Sequence, residues 1–181
     1  MEKILFTITF LSILTELFLI GTVMGFFQKK IVAIDFFKFL MPAAFIVFAL
    51  FLGILLANKL KTLFGNYTVW YASTILFILS FKLMYDGIKL DKIKKTINPL
   101  DAKGLIYLSI LVSLNALFIG TAFGLLKLEY STIAFSSVSA YLIMVAGYFR
   151  GFTLKKLISF RNDLFFAAVF MIVAIFIAIK F

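Results

Sequence analysis

Long apolar runs separated by short polar connectors make up nearly the whole chain. Six of these runs reach or approach the roughly 20 helical residues that cross a hydrocarbon core of about 30 Å. We predict helices over residues 4–27, 36–57, 68–88, 104–126, 131–149 and 164–179, with residues 89–103 as the longest connector. Helices satisfy their own backbone polar groups in lipid. The pattern therefore predicts an all-α membrane protein, one domain of six transmembrane helices over residues 1–181.

Composition and charge narrow the class of protein. Hydrophobic residues make up 64% and charged residues 14% of the chain, and the mean hydropathy is +1.15, so the expected partner is the lipid bilayer. The net charge of +10 lies mostly in connectors, which indicates a topology signal and no nucleic-acid partner. The chain has no cysteine or histidine. We therefore predict no catalytic residues, no resident cofactor and no enzyme activity.

The distribution of lysine and arginine predicts the orientation. Three basic residues lie in residues 29–38, five in 89–103 and four in 150–161. The opposite face has five, namely Lys3, Lys59, Lys61, Lys127 and Lys180. The positive-inside rule places the three basic connectors in the cytoplasm and both termini outside. We expect a multi-pass protein of the plasma membrane, that is, the inner membrane of the cell.

Two helices carry nearly the same motif. Gly21-Thr-x-x-Gly25 in the first helix matches Gly120-Thr-x-x-Gly124 in the fourth, 99 residues later. Three helices per unit would invert the second unit in the membrane, so the duplication predicts two inverted three-helix repeats. The glycines suit close helix packing, within the chain or in a homodimer. Alternatively, the helices unwind there and expose carbonyl oxygens.

Polar residues inside the predicted helices mark a candidate site. Glu16 lies near the centre of the first helix and Asn115, 99 residues later, at the centre of the fourth. An acid at that depth costs about 2.5 to 3.5 kcal/mol on insertion scales unless it is paired or solvated. Lys82 in the third helix has two alternatives. It pairs with Asp86 one turn later, or it reaches inward and neutralises Glu16.

Short motifs in four helices resemble the manganese efflux pump family of the lysine-exporter superfamily. They are Trp-Tyr-Ala at 70–72 with Lys-Leu-Met-Tyr-Asp-Gly at 82–87, Ser-Leu-Asn-Ala at 113–116, Leu-Ile-Met at 142–144, and Thr-Glu-Leu at 15–17. The resemblance implies that Glu16 and Asn115 occupy the positions of two inward aspartates and hold the metal ion. The family also has an acid in the second helix, whereas residues 36–57 contain none. Thr22 and Thr121 offer further oxygen ligands.

Three functions follow from these features. The first is a secondary transporter that exports manganese or another divalent cation by alternating access. The second is a transporter of the same fold for a monovalent cation or a small amino compound, for which one carboxylate suffices. The third is a non-transporting membrane protein of the same family that has lost its acidic residues.

Overall fold

A computed structural model describes residues 2–28, 33–89, 101–127, 131–154 and 162–180. These residues form six α-helices and one short 3-10 turn, Gly65–Tyr67, and they contain no strand. In chain order, the helices α1 to α6 are Glu2–Phe27, Ala33–Phe64, Thr68–Lys89, Ala102–Leu125, Ser131–Leu154 and Asn162–Lys180. The all-helical fold predicted from the apolar runs is confirmed. Most of the predicted connector 89–103 lies outside the described residues.

Several helices extend beyond the apolar runs that predicted them. α2 was expected over 36–57 but spans Ala33–Phe64, and α5 was expected over 131–149 but spans Ser131–Leu154. Polar residues such as Lys59 and Arg150 end an apolar run but are good helix formers. α2 ends at Phe64, directly before Gly65. The φ of Gly65 is +52°, in the left-handed region that glycine adopts without steric cost.

Length and composition identify four stretches in the described part of the chain that can cross a membrane. They are Ile4–Phe27, Phe37–Leu63, Gly65–Asp86 and Lys103–Leu125. Two shorter apolar stretches, Val138–Leu154 and Leu164–Lys180, belong to α5 and α6. Many large apolar side chains are exposed on the bundle surface, among them Phe37, Phe48 and Ile172. Such a surface suits lipid contact, and the structure is that of a multi-pass membrane protein.

Glycines bring α1 and α5 into backbone contact. A Cβ added to Gly21 would overlap the carbonyl oxygen of Met144, and one added to Gly25 would overlap that of Tyr148. Gly147 approaches α1 in the same way. Both contact positions advance by four residues, so α1 and α5 run parallel. Lipid supplies little hydrophobic driving force between helices, and close packing of small residues supplies much of the attraction instead.

The second glycine pair, Gly120 and Gly124, likewise brings α4 into backbone contact with α2. A Cβ on Gly120 would lie 2.6 Å from the carbonyl oxygen of Leu50, and a Cβ on Gly124 would lie 2.6 Å from the Cβ of Ala57. Gly53 of α2 lies equally close to α4. Contacts further along α4 are made to residues further along α2, so the two helices run parallel. Both duplicated glycine pairs therefore serve packing within one chain, and α1 and α4 are continuous helices across them.

Serine hydroxyls connect the third pair of helices, α3 and α6. The Oγ of Ser73 donates to the carbonyl oxygen of Ala174 at 2.8 Å, and that of Ser80 donates to Ala167 at 2.7 Å. The partners advance in opposite directions, so α3 and α6 run antiparallel. α1 and α4 are also antiparallel, because Phe6 packs edge-on against Phe123 with ring centroids 5.5 Å apart while Glu16 meets Asn115.

Replacing Gly25 with alanine tests the packing of α1 on α5. The added methyl group would overlap the Tyr148 carbonyl, and overpacking of this kind typically costs about 1 to 3 kcal/mol. We expect a lower melting temperature for purified Gly25→Ala in detergent. Ala168→Leu is the control, because Ala168 is exposed on α6 and should tolerate a larger side chain. An unchanged melting temperature for Gly25→Ala would contradict the close α1–α5 contact.

Candidate cation site

Glu16 and Asn115 meet between the middles of α1 and α4. Only 7% of Glu16 and 1% of Asn115 is exposed. The Nδ2 of Asn115 donates to the Oε1 of Glu16 at 3.0 Å and to its Oε2 at 3.4 Å. The carboxyl group thus gains a polar partner inside the bundle, which reduces the cost of its burial.

Lys82 of α3 joins the same network from the other side. Its Nζ donates to the Oδ1 of Asn115 at 2.5 Å and to the Oδ2 of Asp86 at 3.0 Å. The side chain of Lys82 is 25% exposed and that of Asp86 is 8% exposed. Both alternatives for Lys82 thus hold in part. It pairs with Asp86 one turn away, and it also reaches inward, where it binds the amide beside Glu16.

The direction of each hydrogen bond in this network follows from chemistry. An ammonium group can only donate, so Asn115 must turn its Oδ1 toward Lys82. Its Nδ2 then faces Glu16, and both oxygens of Glu16 accept from it. An aspartate at position 115 would have no donor for Glu16. The amide therefore supplies a donor for Glu16 and an acceptor for Lys82 at once.

The network combines carboxyl groups with an ammonium group. Glu16 and Asp86 each contribute one carboxyl group and Lys82 contributes one ammonium group. Ion pairs in a partly buried setting attract more strongly than in water, because the surroundings screen them less. The oxygens of Glu16 and of Asn115 are the hard ligands that Mn²⁺ and Mg²⁺ prefer.

The two predicted threonine ligands bond to their own helices. The hydroxyl of Thr22 donates to the carbonyl oxygen of Phe18 at 2.8 Å, and that of Thr121 donates to Leu117 at 2.8 Å. Both threonines are buried. Each hydroxyl oxygen keeps lone pairs, so it can still act as a ligand for a cation. Coordination of a cation by Thr22 or Thr121 stays a prediction.

The buried side chains of α2 are apolar among those that the structure describes. Phe39, Ile46 and Leu50 of α2 are buried. Within the described ranges, no group of three or more acidic residues is positioned to hold a metal ion. A groove of about 690 Å³ lies between α2 and α5, but apolar residues such as Leu40, Val47 and Tyr141 line it. The polar network lies elsewhere, where α1, α3 and α4 meet.

Sequence reasoning missed two features of this region. It left Lys82 with two separate partners, and the amide of Asn115 as the link between Lys82 and Glu16 was not foreseen. It also missed the interhelical bonds of Ser73 and Ser80. The sequence did contain a signal for the two serines. Ser73 and Ser80 are seven residues apart, and such residues lie on one face of a helix. The amide bridge has no sequence signal, since it depends on how three helices pack.

Comparison with known proteins gives one family. The family model described as "Putative manganese efflux pump" matches residues 29–178. That range contains Lys82, Asp86 and Asn115 but begins after Glu16. The protein named "Putative manganese efflux pump MntP" from Methanoregula boonei is 29% identical over 127 residues, 68% of this chain and 66% of that relative. The chain thus spans slightly less than two thirds of the relative's length. No solved structure matches the chain.

Replacing Asn115 with leucine tests whether its amide links Glu16 to Lys82. The change removes the donor to Glu16 and the acceptor for Lys82, and leaving buried polar groups unpaired typically costs about 1 to 3 kcal/mol each. We expect a clear drop in melting temperature, and little change for the control Asn58→Leu, where the side chain is exposed.

A double-mutant cycle separates the bridge from simple loss of packing. Glu16→Leu with Asn115→Leu removes both partners of the bond, so the double variant should be less destabilised than the sum of the single variants. Residues that share a hydrogen-bond network typically couple by about 0.5 to 3 kcal/mol. Strictly additive losses would show that the Glu16–Asn115 bond is not formed.

Proposed function

The chain belongs to the manganese efflux pump family, and on that basis we propose that it is a secondary transporter, and not an enzyme, that exports Mn²⁺ or a similar divalent cation. One observation carries the proposal beyond family membership. A buried carboxylate and a buried amide oxygen lie at the middle of two helices that carry the same Gly-Thr-x-x-Gly motif. We assign Glu16 as the charged ligand and the Oδ1 of Asn115 as the neutral one.

We further propose that α1 to α3 and α4 to α6 are inverted repeats that span the membrane six times. The helix directions support this. α1 is antiparallel to α4, and α3 is antiparallel to α6. Because α1 is parallel to α5 and α2 is parallel to α4, α2 is antiparallel to α5 as well. Each helix of the first unit thus runs opposite to its counterpart in the second.

The packing suggests how such a transporter would alternate. Each glycine-packed pair, α1 with α5 and α2 with α4, combines one helix from each repeat. Glu16 belongs to the first pair and Asn115 to the second, so the candidate site lies between two tightly packed units. Rocking of one pair against the other would part Glu16 from Asn115 on one side of the membrane and then on the other. The chemistry would need no covalent step.

The cellular setting remains the one expected from the sequence. We propose a protein of the plasma membrane with both termini outside and the basic connectors in the cytoplasm, following the positive-inside rule. The glycine pairs pack within the chain, so a homodimer would require other surfaces. The lipid bilayer and the transported cation are the partners that this function requires.

A second candidate function is favoured by Lys82. Its ammonium group donates to the amide oxygen of the candidate site, which supports a singly charged amine as an alternative cargo. A monovalent cation or a small amino compound would also suit a site in which Glu16 is the one carboxyl group bonded to Asn115. The same fold would then transport a different cargo.

Glu16→Gln tests the assigned ligand. Glutamine has nearly the same volume and keeps an oxygen for the Asn115 amide, so the fold should persist while the charge is lost. We expect Mn²⁺ transport by protein in liposomes to fall about tenfold or more, since a loss of about 1.4 kcal/mol of binding free energy is tenfold in affinity. Asp101→Asn, at an exposed position before α4, is the matched control. Transport by Glu16→Gln at the rate of the unaltered protein would exclude Glu16 as a ligand.

Competition for transport identifies the cargo. Liposomes loaded with unlabelled Mn²⁺ should take up labelled Mn²⁺, and we expect Mn²⁺ to compete for this uptake better than K⁺, Na⁺ or small primary amines. Uptake of a labelled amine or monovalent cation, without uptake of Mn²⁺, would favour the second function. If none of these solutes moves and none raises the melting temperature, the protein is a non-transporting member of its family.

A further inference from the structure

We propose that Lys82 is a tethered substitute for the cargo. It occupies the Oδ1 of Asn115 when the transporter is empty, and it withdraws to Asp86 when the cation binds. The inference rests on the proposed function and adds a mechanism to it. The feature that carries it is one ammonium group shared between an atom of the candidate site and a carboxylate beside it.

Cargo and Lys82 compete for the same atom. The Oδ1 of Asn115 is the neutral ligand of the candidate site, and it accepts a hydrogen bond from the Nζ of Lys82. A divalent cation at this oxygen would lie close to the ammonium group, and like charges repel strongly where screening is weak. Binding of the cargo therefore requires the ammonium group to move away.

Asp86 provides a place for the displaced ammonium group. It lies four residues after Lys82 on α3, where side chains are neighbours, and its Oδ2 already accepts from Nζ at 3.0 Å. Lys82 can therefore leave Asn115 and keep its ion pair. The lysine side chain is long and is partly exposed, so a small change of its torsions is sterically feasible.

This exchange would keep a positive charge beside the Glu16–Asn115 pair in both states. In the empty transporter, Lys82 supplies the positive charge next to the Asn115–Glu16 pair. In the loaded transporter, the cargo supplies it. An empty site without Lys82 would lose this positive charge beside the buried carboxyl group of Glu16, and burial of a charged carboxylate is costly in low dielectric. Lys82 would thus allow the empty transporter to return across the membrane, which net export requires.

Lys82→Gln separates this role from a structural one. Glutamine keeps a donor for Asn115 but removes the charge. We expect it to tighten binding of Mn²⁺ to the purified protein by about tenfold, within the range for loss of one competing interaction. In liposomes, net Mn²⁺ flux should fall by a similar factor, while exchange of labelled for unlabelled Mn²⁺ should persist. Lys82→Arg should retain net flux, and Lys59→Gln, at an exposed position on α2, should change neither measurement.

Asp86→Asn gives a test with the opposite sign. Loss of the carboxylate leaves the displaced ammonium group without its ion pair, so Mn²⁺ binding should weaken. A general loss of negative charge near the site would also weaken binding, and the double variant distinguishes the two. If Asp86 acts through Lys82, Asp86→Asn should have little effect in the Lys82→Gln background. An effect of equal size in both backgrounds would overturn the proposed role of Asp86.

The outcomes for Lys82 and for the proposed function are distinct. If the unaltered protein moves no Mn²⁺, the proposed function fails whatever Lys82 does. If the unaltered protein transports Mn²⁺ but Lys82→Gln binds it no more tightly, or loses exchange together with net flux, the substitute-cargo role is wrong. Direct binding of Mn²⁺ to folded Lys82→Gln keeps the test decisive even if that variant reconstitutes poorly.

Discussion

The carboxyl group of Glu16 must find a polar partner inside a bundle of apolar helices, and the rest of the site follows from how it does so. Asn115 supplies the partner through its Nδ2, 3.0 Å away. That bond fixes the amide so that its oxygen faces α3, where only a donor can satisfy it. Lys82 is that donor, and Asp86 in turn balances Lys82. Four polar side chains on three helices therefore form one directional chain of hydrogen bonds, in which each member determines the orientation of the next.

Close helix packing makes this arrangement possible. Without glycine at positions 21, 25, 120 and 124, α1 could not approach α5 and α4 could not approach α2 at backbone distance. In lipid these contacts must come from shape, because apolar side chains gain little by leaving one hydrocarbon environment for another. The glycines thus act at a distance from the polar network. They hold two rigid pairs side by side, and the pairs present Glu16 and Asn115 to each other.

Much of the fold was predictable because its cause is local. Spanning length and apolar composition are properties of single segments, so six helices could be identified from the printed sequence. The predicted C-terminal ends of α2 and α5 were wrong because Lys59 and Arg150 are hydrophilic and end an apolar run. A helix itself stops only at residues such as Gly65 that disfavour helical geometry. Glu16, Asn115 and Lys82 were also identifiable, since polar residues at mid-helix are costly in lipid. The bridge among them was not, because it depends on the relative rotation of α1, α3 and α4.

The amide at position 115 determines what the candidate site can do. Two facing carboxylates repel and need a cation or a proton between them. A carboxylate facing an amide needs neither, because the amide donates to it directly. The empty site can therefore close on itself, with its remaining acceptor satisfied by a lysine of the same chain. An amide at this position attracts a dication less strongly than a carboxylate would. In return, the site is more stable when no cargo is bound. In the proposed transport cycle the empty protein returns across the membrane, so a stable empty state is as necessary as the loaded one.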